Sequence, residues 1–554
     1  MKEAGLQIPV LTNRNSIRGY KKRVSKHNIA KLATNNLFIV DTAGIGRRIM
    51  LLPREVSQAT CSYTEKSAES IVIVDTSFDK TEEVSPSNEG RNIKQWLCRT
   101  DLLSSKSPRQ MPQGRRKRMQ TIDKVLTTRN LTESCRDVLK NKGSAGIDRM
   151  SVKELKTHLD QNREVLKATI LNGDYIPLPI RGKEIPKKNG KTRLLGIPTV
   201  VDRMLQQAVS RIIMPQYEYM FSEYSFGFRP QRNTRQAVQK SLGYINSGYQ
   251  HIVDIDLKGY FDEVDHCLLL NLLYRKINCP TTLQLLRRWL RAPIWINGQL
   301  VKRRKGVPQG SPISPLLSNI ILHELDMEME RTGLRFVRYA DDFSIYCKTK
   351  KEAREKGNQV YRYLRDKLKL PINREKSGIR RPVHFSLLGY GFVPTYQKGA
   401  KGQYQLIVEK SRWKQLKAKL KKATRKTTPM TFDERIQKIK EIHRGWINNF
   451  CLANIRGKLN ELDGWLRNRL RYCIWHDWKK RERKRKNLIR LGIIPRDAFR
   501  WSRSRLGGWA IAQSPILNTT ITVKRLTKKG YEPMLIWYQK VAPHKFTRTL
   551  FPIV

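Results

Sequence analysis

The tetrapeptide Tyr339-Ala340-Asp341-Asp342 sets two carboxylates side by side between two alternating runs, Arg335-Phe-Val-Arg338 and Phe343-Ser-Ile-Tyr-Cys347. This pattern predicts a β-hairpin whose tight turn thrusts both acids from the edge of a sheet. Like charges that close repel one another, and a divalent cation would neutralise them. Alone, the tetrapeptide reads equally well as a solvated turn, so the chemistry calls for a third carboxylate. The segment His251-Ile-Val-Asp-Ile-Asp256-Leu-Lys-Gly-Tyr-Phe261-Asp262 offers one, because a β-type run there ends in an acid before a glycine-containing turn. Three aspartates on rigid strands could hold two Mg2+ ions about 3.5 to 4 Å apart, an arrangement that activates an attacking hydroxyl and stabilises a leaving pyrophosphate. Spacing leaves the third acid open, since Asp254 and Asp256 lie two residues apart and share a strand face.

Between these acidic segments runs Gly306-Val-Pro-Gln-Gly310-Ser-Pro-Ile-Ser-Pro315-Leu-Leu-Ser-Asn319, a glycine- and proline-rich turn leading into an apolar helix. Such a loop allows backbone to approach a base pair closely, although Ser311 or Ser314 could equally cap a helix there. Around these motifs, from about 122 to 392, short β-branched runs alternate with amphipathic stretches, the mark of an α+β unit. Beyond residue 410 the periodicity becomes helical. Trp413, Leu416, Leu420 and Ala423 form one stripe, Ile436, Ile439, Trp446 and Phe450 a second, and Leu459, Leu462, Leu466 and Cys473 a third, which predicts a three-helix unit. The basic run Lys479 to Lys486 precedes a last segment that carries Trp501, Trp509 and Trp537.

The whole chain bounds the partner. Its 554 residues exceed what one hydrophobic core supports, and 109 Lys and Arg against 48 Asp and Glu leave a formal charge of +61. Basic residues interleaved with Trp, Tyr, Leu and Ile point to a polyanion, most simply nucleic acid, rather than to a disordered tail. The eight cysteines are scattered, without a C-x-x-C pair, so neither a disulfide framework nor a zinc ribbon is expected, and Cys473 with His476 reads as a pair of helix-face neighbours. Neither a signal peptide nor a membrane-spanning run is legible, and a bacterial cytoplasm is expected in preference to an organelle. Residues 1–105 differ from the rest: basic at first, then acidic and serine-rich from Thr64 to Gly90, they are expected to be an N-terminal extension with disordered character.

In order and spacing, these motifs resemble the reverse transcriptases, and in particular the group II intron-encoded reverse transcriptase/maturase family, over about residues 120 to 545. Gly143-Ser-Ala-Gly-Ile-Asp148 is similar to that family's N-terminal element, and Ile185 to Pro198 (IPKKNGKTRLLGIP) to its fingers hairpin. Phe221 to Pro230 (FSEYSFGFRP) resembles its insertion between fingers and palm, and Leu387-Leu-Gly-Tyr390 its primer grip. The resemblance implies a right-hand polymerase fold, with fingers and palm over 106–398, a helical thumb or maturase domain over 408–485 and a small basic DNA-binding-like region over 486–554. It implies that Asp256, Asp341 and Asp342 are the catalytic acids, with the Leu257 carbonyl as a further metal ligand, and that Asp254 is not one of them. It places Lys187 and Arg193 on the incoming triphosphate, which suits a point-charge ammonium and a forked guanidinium. Phe261 becomes a steric gate against the ribose 2′-hydroxyl, Gln309 a brace for the nucleotide, and Lys376 an acid assisting pyrophosphate departure.

The implied activity is RNA-directed DNA synthesis with Mg2+, Mn2+ being able to substitute, from dNTPs on a DNA primer. The implied partners are the parent group II intron RNA, whose splicing the protein would assist, and the DNA target into which the intron moves. The paired cysteines of an HNH endonuclease are missing, so none is expected and primers would come from elsewhere. Two other readings stand beside this one: a splicing-only maturase that has lost polymerase activity, against which the intact aspartates argue, and a domesticated reverse transcriptase of another lineage. The leader has no counterpart in the family, and oligomeric state is not legible.

Overall fold

A computed structural model describes residues 120–186, 190, 192–396 and 402–542, with strand segments at Leu37–Val40, Leu51–Leu52 and Val72–Ile73. The chain divides into two units, Met1–Pro108 and Arg109–Val554. In the first, the three short strands pair antiparallel with Leu37–Val40 in the middle. The extension expected over 1–105 otherwise lies outside the described residues, as do Lys187 and the last twelve positions.

The second unit mixes helices with small, mainly antiparallel sheets. At its centre four strands lie in the order Gly378–Arg380, His251–Asp256, Asp342–Cys347, Arg335–Tyr339, each antiparallel to its neighbour. Both faces of this sheet are covered, and the alternation of side chains shows how. Val253, Ile255, Phe336, Phe343 and Ile345 point into a core shared with the helices Ser314–Arg331 and Lys350–Asp366. Ile252, Val337 and Tyr346 point the other way, toward the helix Thr234–Asn246 and the rings of Phe385 and Phe392. Asp254 and Asp256 share the parity of Ile252, so both acids stand on that second face.

Asp256 stands at the end of its strand and Asp342 at the start of the next, and the hairpin between Arg335–Tyr339 and Asp342–Cys347 closes through Ala340 and Asp341 alone. The hairpin that the sequence predicts at Asp341 is therefore present. A second sheet pairs Ile180–Pro186 with Thr192–Ile197 antiparallel and extends through Ile294–Ile296 and Gln299–Val301. A third joins Ser386–Leu387, Tyr390–Pro394 and Tyr404–Val408.

The three expected helices are Lys410–Ala423, Phe432–Phe450 and Arg456–Asp477. Thr431 and Glu434 start the middle one with a reciprocal capping box. Of the predicted stripes, Leu416, Leu420, Ile436, Ile439, Phe450, Leu459, Leu466 and Cys473 are buried, while Trp413 and Trp446 pack partly exposed against each other. Short helices follow from Arg481–Arg490 to Met534–Val541, and one hydrophobic core runs without a break from Leu420 through Leu466 to Met534 and Tyr538. The buried carboxylate of Asp463 fastens this tail, accepting hydrogen bonds from the Tyr531 hydroxyl at 2.7 Å and from the amides of Met534 and Leu535 at 3.0 and 3.1 Å. Among the described residues no helix is long and apolar enough to cross a membrane.

Candidate active site

The antiparallel register makes Asp342 and Asp256 direct cross-strand partners. Facing carboxylates destabilise a sheet, and Asp341 at the turn adds a third. Asp342 reaches solvent, yet the walls around it displace much of its water. That dehydration, ahead of repulsion from Asp341, Asp256 and Asp254, pushes its carboxyl up to about 6, with Lys376 opposing the shift. Remaining contact with water screens the repulsion and limits its cost.

Asp256 is held from the far side by the turn Asn373–Ser377. Its amide donates to Ser377 Oγ at 3.0 Å and its carbonyl accepts from the Asn373 amide at 2.8 Å. Its Oδ2 accepts from Asn373 Nδ2 and from Lys376 Nζ, each at 3.0 Å. Lys376 thus sits on the carboxylate as a cation on an exposed ion pair. Asp254, two pairs further from the turn, is engaged differently. Its Oδ2 accepts from Arg380 Nε at 3.0 Å, and although burial raises its carboxyl above the usual range, the Arg380 hydrogen bond and charge pull the other way. The two acids that spacing left equivalent therefore differ in partner and in place, and Asp256 alone faces Asp342 across the strands.

Three residues beyond Asp256, Gly259 turns the chain into the short helix Tyr260–Glu263, which sets the partly buried Phe261 ring edge-on against Tyr260. The loop from Gly306 packs behind it. The Gly306 amide donates to Val264 O and the Val307 amide to Phe261 O, and a Cβ at Gly306 would meet the carbonyl oxygens of Phe261 and Asp262 at 2.9 Å, where φ is +87°. Only glycine fits that approach. Beyond it, Arg193 Nε donates to Gln309 Oε1, and Gln309 Nε2 reaches Asp262 Oδ2 at 3.5 Å.

The sequence-predicted residues thus fall into two groups joined by the segment 256–262. Asp256, Asp341, Asp342 and Lys376 form one, with Leu257 closing the strand through a bridge to Ile372, and Phe261, Gln309 and Arg193 form the other. Lys187 lies outside the described residues. Among those residues no three His, Cys, Asp or Glu side chains are drawn together as a ready metal-binding cluster. The donor set nonetheless suits Mg2+: carboxylates and a main-chain carbonyl are hard oxygen ligands, and a cation already compensates one of them. Asn373, Ser377 and Arg380 were not singled out by sequence reasoning. The segment Asn373-Arg-Glu-Lys-Ser377, carrying two small polar residues around the predicted lysine, was the available signal.

A family model for reverse transcriptase (RNA-dependent DNA polymerase) matches residues 185–392, and one for the group II intron maturase-specific domain matches 413–492. Protein YkfC of Escherichia coli strain K12 is 31% identical over 303 residues, covering 47% of this chain and 80% of that protein. The group II intron-encoded protein LtrA of Lactococcus lactis is 38% identical over 195 residues, 35% of this chain and 32% of LtrA. A putative COX1/OXI3 intron 2 protein of Saccharomyces cerevisiae is 33% identical over 153 residues, 27% of this chain and 18% of that protein. The chain is a reverse transcriptase joined to a maturase domain. It belongs to the group II intron-encoded reverse transcriptase/maturase family, and the matched part spans about a third of the length of LtrA.

Proposed function

We propose that this protein is an RNA-directed DNA polymerase that binds its parent group II intron RNA, assists its splicing and copies it into DNA at the insertion site. The observation that carries the polymerase half is the register that sets Asp256 opposite Asp342 with Asp341 on the intervening turn. In this reading residues 106–398 are the fingers and palm of a right-hand polymerase, 408–485 the thumb and maturase domain, and 486–554 a small basic DNA-binding-like region. Asp256, Asp341, Asp342 and the Leu257 carbonyl would hold Mg2+, or Mn2+ in its place, which when bound activates the primer 3′-hydroxyl and neutralises charge on the triphosphate.

The chain's own groups do the rest. Arg193 and Lys187 orient the triphosphate, Arg193 exchanging its hydrogen bond to Gln309 for phosphate oxygens. Gln309 then braces the nucleotide, and Phe261, backed rigidly by the Gly306 loop, excludes a 2′-hydroxyl, so that dNTPs are the substrates. Lys376 donates a proton to the departing pyrophosphate. Lysines along the helix Lys410–Ala423, whose apolar face is buried, present charge to RNA phosphates.

Splicing and synthesis measured on one preparation test this reading. Primer extension on an RNA template should be lost in Asp341→Ala while splicing of a flanking intron RNA persists. A wild-type protein that splices but never extends a primer would leave a splicing-only maturase.

A further inference from the structure

The strand Arg335-Phe-Val-Arg338-Tyr339 carries a cation at a position where its neighbours are buried, and Arg338 has no solvent exposure at all. A charge so placed is tolerated only when paired and fully hydrogen-bonded. Arg338 meets that condition with one helix, Ser314–Arg331. Its Nε and Nη2 donate to Asp326 Oδ1 and Oδ2 at 2.7 and 2.5 Å, and Asp326 is equally buried. Its Nη1 donates to Asn319 Oδ1 at 3.0 Å. Asn319 and Asp326 lie about two helical turns apart and so share a face.

One further bond does not belong to that pairing. Arg338 Nη1 also donates to the carbonyl of Ala340 at 3.0 Å, the residue that opens the turn before Asp341 and Asp342. Ala340 has φ +58°, a left-handed conformation that costs a residue with a Cβ roughly 1 kcal/mol or more. Gly227 presses on the peptide just before it, Tyr339–Ala340, where a Cβ would lie 2.1 Å from the Ala340 amide nitrogen. Asn319 Nδ2 anchors Gly227 through its carbonyl at 2.9 Å, and the flanking backbone is stitched by Arg338 N to Tyr224 O and Phe226 N to Arg338 O, each 2.9 Å.

We infer that the buried Arg338–Asp326 pair, with Asn319, is a positioning device for the catalytic turn: Arg338 holds the peptide after Ala340 while Gly227, anchored by Asn319, packs against the peptide before it, and together they fix where Asp341 and Asp342 point. The inference rests on the polymerase reading above. A pair serving stability alone needs only the two-pronged contact, and buried pairs of that kind are commonly replaceable by apolar residues of similar volume without loss. The bond to Ala340 is the part that an apolar replacement cannot reproduce.

Three proteins therefore test it: the wild type, Arg338→Lys, and the double variant Arg338→Met with Asp326→Leu. Each is measured for thermal unfolding, for primer extension as a function of Mg2+ and dNTP, and for Mn2+ binding by electron paramagnetic resonance. The folded double variant is expected to lose kcat by about 10- to 100-fold, to need more Mg2+ for half-maximal rate and to bind Mn2+ more weakly, with its KM for dNTP unchanged. Arg338→Lys, which keeps the charge and loses the fork, should show the same pattern, and it decides the matter if the double variant does not fold. Either variant, folded and matching the wild type in kcat, Mg2+ dependence and Mn2+ affinity, overturns the inference. A wild type that neither extends a primer nor binds Mn2+ overturns the polymerase reading and this inference with it. A wild type that binds Mn2+ without extending leaves the comparison of Mn2+ affinities to decide the positioning role.

Discussion

The central sheet and the helix Lys410–Ala423 handle charge in opposite ways. Around the turn that carries Asp341 and Asp342, charges are few and individually partnered: Arg338 with Asp326, Asp256 with Asn373 and Lys376, Asp254 with Arg380. The helix Lys410–Ala423 buries only apolar side chains of its own, Leu416, Leu420 and Ala423, and its lysines lie on the outer face. Chemistry on a primer terminus needs groups fixed to a fraction of an ångström, which only dense partnering supplies. Holding a long polyanion needs many cations that act additively through a screened field. Substitutions near the sheet should therefore act through orientation and be insensitive to salt, and those on the helices should do the reverse.

Breaking the contrast at its strongest point, Asp341→Ala should lower primer extension by roughly 10^3-fold or more, since several kcal/mol of metal-borne stabilisation is lost at about 1.4 kcal/mol per decade. Intron RNA affinity, read by filter binding, should stay unchanged. Conversely, raising salt from about 50 to 200 mM should weaken RNA binding by on the order of 10^3-fold if six or more phosphates are engaged. Binding indifferent to salt would remove the basis for the basic face.

A buried imidazole in the helical region sharpens the comparison. His443 is fully buried, has no hydrogen-bond partner on either ring nitrogen among the described residues, and lies 4.0 Å from Glu532. Burial, aided by Arg444 and Lys440 and opposed by Glu532, pushes its imidazole down from 6.5 to about 4. Between those values the unfolded chain binds more protons than the folded one, so stability falls as pH falls from 6.5 toward 4, by at most about 3 kcal/mol. Denaturant melts at several pH values should show this slope in the wild type and a shallower one in His443→Leu.

Smaller effects follow. Phe261→Val should raise incorporation of NTP relative to dNTP by about 10- to 100-fold, the range for one changed hydrophobic contact in a pocket, measured by competition in single-nucleotide extension. Lys438→Ala, which removes the exposed pair with Glu441, should shift the melting temperature by no more than about 2 °C. That near-silence is the counterpart of the damage expected at Arg338.

Legibility in the sequence followed the range of the interaction. The Asp341 hairpin, the strand ending at Asp256 and the stripes of the three helices are written in periods of two or of three to four residues, and each is found. The choice between Asp254 and Asp256 was open to spacing alone because Arg380, the partner of Asp254, lies 126 residues away. Asn373, which clamps Asp256, is 117 residues away. Arg338 carried a local sign, a cation inside a buried strand, but Asp326 and Asn319 become its partners only when the helix Ser314–Arg331 packs beneath the sheet. Pairings set by packing have no periodicity to read.

The most direct test compares Asp256→Asn with Asp254→Asn in single-turnover primer extension on an RNA template with Mg2+ and dNTPs. The cross-strand register calls for extension to vanish in Asp256→Asn and to survive in Asp254→Asn with at most a modest loss through its contact with Arg380. Extension that survives in Asp256→Asn and vanishes in Asp254→Asn would contradict the assignment of the catalytic acids.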